Sequence, residues 1–308
     1  MVDPLSQVIA LLRPRTVFSK VISGAGRWAV RYSEFGQPSF CAVLEGHCLL
    51  TVAKGAALSL AAGDFVLLPA TPGFVMSSPE PGTPVDIDAH AASRAGGGEL
   101  RHGRRGGPPD VRMLGGYFAF ESPDSTLLVS LLPSVLQVRG SPRLPLLVGL
   151  VREESLERRP GRELVLTRLV EVLLLEALRA APAEQGPPGL LRGLADKRLA
   201  AAFRHIHRNP ARAWTVDQLA QECALSRSAF FERFSRTVGV PPMEYLHAWR
   251  MALAKDLLRR RELALAEVAQ RVGYGSASTF STAFSRHVGQ PPGRYARAQA
   301  AGQGGRAG

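Results

Sequence analysis

The stretch VDQLAQECALSRSAFFERFSRTVGVPP at residues 216–242 returns, with substitutions, as LAEVAQRVGYGSASTFSTAFSRHVGQPP at residues 265–292. Leu219-Ala220 recurs as Val268-Ala269, Phe230 as Phe280, Phe234 as Phe284, Gly239 as Gly289, Pro241-Pro242 as Pro291-Pro292 and Tyr245 as Tyr295. The first pair is 49 residues apart and the others 50, so one residue has been inserted in the turn between them. Self-similarity at a fixed period signals two copies of one supersecondary unit. In the first copy Thr215 precedes an apolar run that ends at Cys223, and Ser226 precedes a second run that closes at Gly239 ahead of Pro241. A hydroxyl residue at the start and a glycine, then proline, at the end are the start and stop signals of a helix. The spacing therefore predicts helix, turn, helix. In the second copy the same reading gives a helix over Ala264 to Val272, a turn at Gly273-Tyr274-Gly275, and a helix from Ser276 to Gly289.

Projection at about 100° per residue separates two faces on each second helix. Phe230, Phe234 and Val238 fall on one side; Ser228, Phe231, Glu232 and Ser235 fall on the other. Phe280 and Phe284 mark the core side of the later copy, with Ser278, Ser281, Thr282 and Ser285 facing outward. In a helix-turn-helix the outward N-terminal residues of the second helix meet base edges in the major groove. The alternative is an ordinary amphipathic helix with a solvated face. Against it stand Phe231, an aromatic on the face that should be wet, and the flanking Arg227, Arg233, Arg236 and Arg286. Between the units, Met243 to Arg260 reads as one helix, which at 1.5 Å per residue is about 27 Å long. Grooves on one face of B-DNA recur every ~34 Å, so such a spacer can set two reading helices in successive grooves.

Charge agrees with this. Of a net charge of +12, the residues from Leu190 onward hold 19 Lys+Arg against 8 Asp+Glu, and the rest of the chain holds 19 against 18. Clustered cations of this kind suit a polyanion, here double-stranded DNA. At 308 residues the chain is long enough for two domains. Three cysteines, Cys41, Cys48 and Cys223, are too few and too irregular for a disulfide framework or a thiolate zinc site, which fits a reducing compartment. The N-terminus carries its charges in the wrong places for a signal peptide. Arg168, Glu171 and Glu176 interrupt the most apolar stretch, Leu164 to Leu178, so it will not span a bilayer. A cytoplasmic protein with no membrane partner is expected.

Ahead of the repeat, Trp28 to Tyr32, Phe40 to Leu44, Cys48 to Val52 and Phe65 to Leu68 read as short strands, broken by Glu45-Gly46, Lys54-Gly55 and Gly63-Asp64. They suggest a small antiparallel barrel, with strand character returning at Met113 to Phe120. Ser93 to Asp110, rich in Gly, Arg and Pro, reads as a mobile loop. Leu144 to Leu156 and Glu163 to Leu178 read as helices, parted by Arg159-Pro160-Gly161. The second is apolar on nearly every side, so it must be buried, either within its own domain or against a partner chain; a contribution to a homodimer interface is expected, with Leu169→Glu and Leu173→Glu together yielding monomers. The domains expected are 1–181 for sensing and dimerisation, a linker at 182–193, a DNA-binding domain at 194–299, and a disordered tail at 300–308.

The repeat resembles the AraC/XylS family of bacterial transcription regulators over about 100 residues, Leu199 to Ala298, most specifically in GYGSASTFSTAFSRHVGQPP. The resemblance implies base-reading positions at Arg227, Ser228, Phe231 and Glu232 in the first unit and Ala277, Ser278, Ser281 and Thr282 in the second, with Ser276, Arg236 and Arg286 alongside. Thr282 departs from the family's usual Arg or Lys. It also implies an activator or repressor that meets RNA polymerase and answers to a small-molecule effector. The N-terminal part, from DPLSQVIALLRPR through VLEG, AGDFVLLP and GYFAF to ERRPGRELVLTRLVEVLLLEALR, is similar to the cupin-type sensor domain of one branch of that family. The fold class implied is α+β multidomain: a cupin-like β-barrel with helices, then an all-α domain with two helix-turn-helix units.

Catalytic cupins hold a metal with three His and one Glu, which raises a rival reading as an enzyme. Here Gly46 anchors the first motif and sets the Glu position at Ser39, with no His among residues 33–37; Gly63 and Pro69 anchor the second and set its His position at Phe74. Ser and Phe cannot replace imidazole or carboxylate ligands, and His47, His90 and His102 lack ligand spacing, so no catalytic residue, metal or cofactor is expected. What remains is a barrel with Trp28, Phe40, Phe65, Phe74 and Tyr117 as candidate pocket aromatics, plain core packing being the alternative for each. Cys41 and Cys48 could share a face of a hairpin at Glu45-Gly46, but no basic group stands near to activate either thiol.

Overall fold

The structure, a computed structural model, describes residues 3–34, 37–53, 55–88, 99–120, 132–157, 159–182 and 187–304. It opens with α1 (Pro4–Leu12) and continues through β1 (Pro14–Ala25), β2 (Ala29–Tyr32), β3 (Ser39–Val52), β4 (Leu58–Ala61), β5 (Phe65–Leu68), β6 (Phe74–Ser77), β7 (Val85–Ile87), β8 (Glu99–Gly103), β9 (Val111–Phe120) and β10 (Leu136–Val138). The remaining elements are helices: α2 (Arg143–Leu156), α3 (Arg162–Ala180), α4 (Leu190–Ala195), α5 (Leu199–Arg208), α6 (Val216–Glu222), α7 (Arg227–Val238), α8 (Pro242–Arg260), α9 (Leu265–Arg271), α10 (Ala277–Val288) and α11 (Pro292–Gly304). The chain divides into two compact units, residues 12–183 and residues 184–308 with 1–11. The first helix, grouped with the barrel in the sequence reading, therefore packs in the helical unit.

The barrel unit is organised by β3. Its first half pairs antiparallel with β5 and β9, its second half with β4 and β6, so one strand serves both layers of the curled sheet. The transition is a bulge between Val43 and Glu45, followed by Gly46 at φ +74°. Any side chain at Gly46 would collide with the Asp110 carbonyl, 1.9 Å from an ideal Cβ, so the close approach of β9 requires glycine there. The sequence places a hairpin turn at Glu45-Gly46; the strand instead continues through it, which corrects that expectation. Cys41 and Cys48 thus lie on one strand, among the barrel's buried side chains, and burial raises both thiols above their ordinary range.

The interior comprises Trp28, Val30, Val43, Leu50, Leu60, Val66, Leu68, Met76 and Met113, each nearly or fully buried. At ~1.5–3 kcal/mol per buried side chain, this cluster is the main favourable contribution to the unit. Helices α2 and α3 pack on each other and on β1, burying Leu144, Val148, Val151, Leu166, Val170, Leu173, Leu174 and Leu178.

Strand β1 escapes the sequence reading because it buries Lys20 and Ser23, which hides its alternation. Part of the expected mobile loop is also strand: Glu99–Gly103 pairs in parallel with Val21–Ala25. His102 on it is a core histidine, stacked on Trp28 at 5.8 Å between ring centroids, and burial lowers its pKa. Of the expected tail, residues 300–304 fall within α11, which ends at Gly304. His90, Lys54, residues 93–98 of the loop, 183–186 of the linker and 305–308 of the tail lie outside the described residues.

Candidate nucleic-acid interface and barrel cavity

Two cores of the same design hold the two helix-turn-helix units. In the first, Phe203, Phe230, Phe234 and Tyr245 form one aromatic cluster with centroids 5.0–5.9 Å apart. In the second, Phe280 meets Phe284 at 5.5 Å, and Phe284 meets Tyr295 at 5.5 Å. Helix α8 belongs to both. Tyr245 and Trp249 in its first half are buried with the first unit, while Met251, Ala254 and Leu258 enter the second core. A single helix of 19 residues, about 28 Å long, thus fixes the separation of the units.

The helix starts and turns follow from named side chains. Thr215 Oγ1 accepts from the Gln218 amide at 3.2 Å while Gln218 Oε1 accepts from the Thr215 amide at 3.2 Å, a reciprocal capping box on α6. Ser226 Oγ accepts from the Ala229 amide at the start of α7, and Ser276 Oγ from the Thr279 amide at the start of α10. In the first turn Leu225 N donates to Ala220 O, and in the second Tyr274 N donates to Ala269 O at 2.9 Å. Ala224 and Gly273 therefore correspond, both at positive φ, and the inserted residue of the second copy is Gly275. Gly273 must be glycine, because a Cβ would stand 2.7 Å from Ala211 O and 2.8 Å from the Arg250 guanidinium.

On α7, Arg227, Ser228, Phe231, Glu232 and Arg236 are all exposed, as the projection predicts. Phe231 leaves 46% of its surface in solvent. Arg227 pairs with Asp217 on α6 at 3.5 Å. Among the described residues Glu232 forms no ion pair, so the Arg236 guanidinium one turn later does not neutralise it. Two residues differ from expectation. Ser235 is half-buried, its hydroxyl sealed from solvent, and Arg233 turns inward to donate to Asp196 Oδ2 at 2.8 Å. That carboxylate also accepts from the amides of Arg198 and Leu199, so it ties the start of α5 to the reading helix.

On α10, Ser276, Ser278, Thr282 and Arg286 are exposed, whereas Ala277 and Ser281 are half-buried. The hydroxyls are engaged locally. Ser276 Oγ lies 3.0 Å from Ser278 Oγ and 2.9 Å from Thr279 Oγ1, and Thr282 Oγ1 donates to Ser278 O. Apart from Arg286, the outward side chains at the start of α10 are thus small and uncharged, with the Ser276, Ser278 and Thr282 hydroxyls hydrogen-bonded locally.

Sequence reasoning gives no sign of His207, on α5. It is buried, stacked on Trp249 at 4.0 Å, and accepts at Nε2 from the Tyr245 hydroxyl at 2.7 Å. Its Nδ1 donates to Gln7 Oε1 of α1 at 3.0 Å, which fixes one neutral tautomer. Burial holds its pKa down to about 3, against a smaller opposing pull from Asp3.

The barrel holds an apolar cavity that is partly open to solvent. Phe40, Phe74 and Tyr117 line it as expected. Trp28 and Phe65 do not: Trp28 is core against His102, and Phe65 stacks on Phe40 at 6.2 Å. Ser39 and Phe74, the two positions where a metal-binding cupin would place ligands, both face this cavity. Among the described residues no group of three His, Cys, Asp or Glu side chains could hold a metal. Lys20, Tyr32 and Cys41 also line it, and no sequence pattern marks them.

A family model described as Cupin matches residues 3–183, and one described as Helix-turn-helix domain matches residues 219–298. An AraC-like transcription regulator of Streptomyces lividans is 37% identical over 300 residues, 95% of this chain and 97% of that one. The chain belongs to the AraC-like transcription regulators. A second such regulator, from Streptomyces antibioticus, is 38% identical over 95% of this chain and 98% of its own. Among solved structures, a DNA-binding transcriptional dual regulator from Escherichia coli K-12 is similar at 26% identity and a TM-score of 0.31, over 33% of this chain and 91% of that one. The chain is a DNA-binding transcription regulator with an N-terminal cupin-like region. Among the described residues no helix is long and apolar enough to cross a membrane.

Proposed function

We propose that this AraC-like regulator is a cytoplasmic, homodimeric, one-component switch that reads promoter DNA with α7 and α10 and takes a small-molecule effector in the barrel. The observation that carries the effector reading is the lined barrel cavity, apolar on most sides with a few polar groups, the chemistry of small-molecule sites. With Ser and Phe at the ligand positions, the barrel acts in binding and not in catalysis, and holds no stoichiometric iron, zinc or manganese; about one tightly bound metal per chain by elemental analysis would contradict this. The effector reading is tested on the full-length protein by measuring DNA affinity across a panel of cellular metabolites. At least one compound should change the affinity severalfold and raise the melting temperature. A panel without effect on either would leave the barrel as a dimerising element only.

The dimer reading rests on α2 and α3. Leu146 and Leu164 are 70% and 63% exposed, and Leu150, Val165 and Val172 join them as exposed apolar side chains on these two helices. Leu173, placed at the interface by sequence, is instead 1% exposed within its own core, and Leu169 is half-buried. A helix that looks apolar all round has one face for its own barrel and another left for a partner. RNA polymerase is the further partner through which an activator of this kind would act.

A further inference from the structure

Helix α8 is not the sole connection between the two helix-turn-helix units. The loop at residues 209–215 runs from α5 into α6 and so leads directly into the first unit. It is braced from within. Trp214 is buried, its indole N–H donates to the Asn209 carbonyl at 3.0 Å, its amide donates to the Arg212 carbonyl at 2.7 Å, and the Arg212 guanidinium lies 4.0 Å from the centre of its ring. Arg250, half-buried midway along α8, grips the same loop with two charge-assisted bonds: Nε donates to the Pro210 carbonyl and Nη2 to the Arg212 carbonyl, both at 2.8 Å. The turn of the second unit closes on this place as well. An ideal Cβ at Gly273 would stand 2.7 Å from the Ala211 carbonyl oxygen and 2.8 Å from the Arg250 guanidinium, and the neighbouring Tyr274 hydroxyl lies 3.3 Å from His247 Nδ1 on α8. One guanidinium thus joins the loop that enters the first unit, the helix between the units and the turn of the second.

We propose that Arg250 is a positioning residue for DNA recognition: by holding the 209–215 loop against the Gly273 turn, it fixes the rotational phase of α10 relative to α7 and so the spacing of DNA elements that the protein accepts. This rests on the reading of DNA by both helices and deepens it. The length of α8 sets a separation, but each unit packs on that helix through its own core, and a second contact is what stops the pair from rocking about it. Two linked modules gain from joint binding only where the geometry lets both engage at once. One base pair inserted between the two elements moves the second by ~3.4 Å along the axis and turns it by about 35°. A locked junction does not follow that change, whereas a loosened one does. Arginine suits the task because its planar fork meets two acceptors in one fixed geometry, which a lysine ammonium on a flexible stem does not.

The test uses the full-length protein and three DNA duplexes, read by fluorescence anisotropy: a site selected from a random pool, the same site with one base pair inserted between its two elements, and its stronger element alone. The unchanged protein should bind the selected spacing ten-fold or more tighter than the lengthened one. Arg250→Met should bring that ratio below about threefold while binding the single element within threefold of the unchanged protein, and Arg250→Lys, which keeps the charge but not the fork, should fall between the two. A loss of stability alone weakens all three duplexes alike and leaves the ratio where it was. A ratio that stays the same in both variants would overturn the proposal and leave the two-helix reading standing. If the unchanged protein binds both spacings equally, the proposal is overturned, and footprinting of the selected site decides the two-helix reading separately. If Arg250→Met fails to fold, the ratio in Arg250→Lys still decides.

Discussion

Glu232 is exposed on α7 and forms no ion pair among the described residues, so if α7 reads DNA as proposed, phosphates would repel its carboxylate. Such a group is tolerable where it accepts from a cytosine amino group, and the neighbouring Phe231 can pack on a thymine methyl. Glu232→Ala should then relax preference at one base position by about 1–3 kcal/mol, whereas Arg236→Ala should weaken all sequences alike and lower the salt slope by roughly one phosphate contact. Binding selection on randomised sites checks both, and an unchanged logo for Glu232→Ala would remove Glu232 as a reader. A second residue-scale prediction concerns His207. Its folded pKa, about 3, lies below the ordinary 6.5, so the unfolded chain binds the extra proton between those values. Its contribution is complete above about pH 6.5 and is lost as pH falls towards 3, at up to ~1.4 kcal/mol per pH unit. Urea unfolding at pH 7, 6 and 5 should show that decline, and His207→Gln should flatten it. The exposed reading residues were legible because exposure follows helical period. Arg233 and Ser235 were not, since a partner on another element, Asp196, and burial beside neighbouring helices cannot be read from one helix alone.

At the scale of elements, the repeat made the helices of both helix-turn-helix units readable, because caps, turns and aromatic positions are local signals that occur twice, whereas α4, which begins inside the expected linker, lies outside it. Ser226→Ala and Ser276→Ala each remove a cap bond and should each cost about 1 kcal/mol of stability by denaturant titration. The barrel was half legible. Strands with apolar alternation were found, while β1 was hidden by inward Lys20 and Ser23, and β8 by a composition that suits loops. The continuous β3 was missed for a related reason: glycine after an acidic residue marks a turn as readily as a bulge, and only the approach of β9 decides between them. The outer face of α3 carries its own prediction. Leu164→Glu with Val172→Glu should give folded monomers in sedimentation, whereas a double variant that stays dimeric would place the interface elsewhere.

At the scale of the whole molecule, α1 and the start of α4 both anchor, inside the helical unit, on the first helix-turn-helix unit. Gln7 of α1 accepts from His207, and Gly189, at the start of α4, donates to the Thr237 carbonyl near the end of α7. On the proposed reading, the first helix has Phe231, Glu232 and Arg236 to discriminate with. The second, with its self-bonded hydroxyls, can hold the backbone but offers little bidentate contact to bases. The central claim is that one protomer reads DNA with two unequal helices held a groove apart by α8. Selection of binding sites from a random pool by the full-length protein, followed by hydroxyl-radical footprinting of the winners, tests it directly. Two protected elements per protomer are expected about one turn of DNA apart, ~10 base pairs, with strong base preference in one element and weak preference in the other. Enrichment of no sequence, or of a single protected element per protomer, would contradict it.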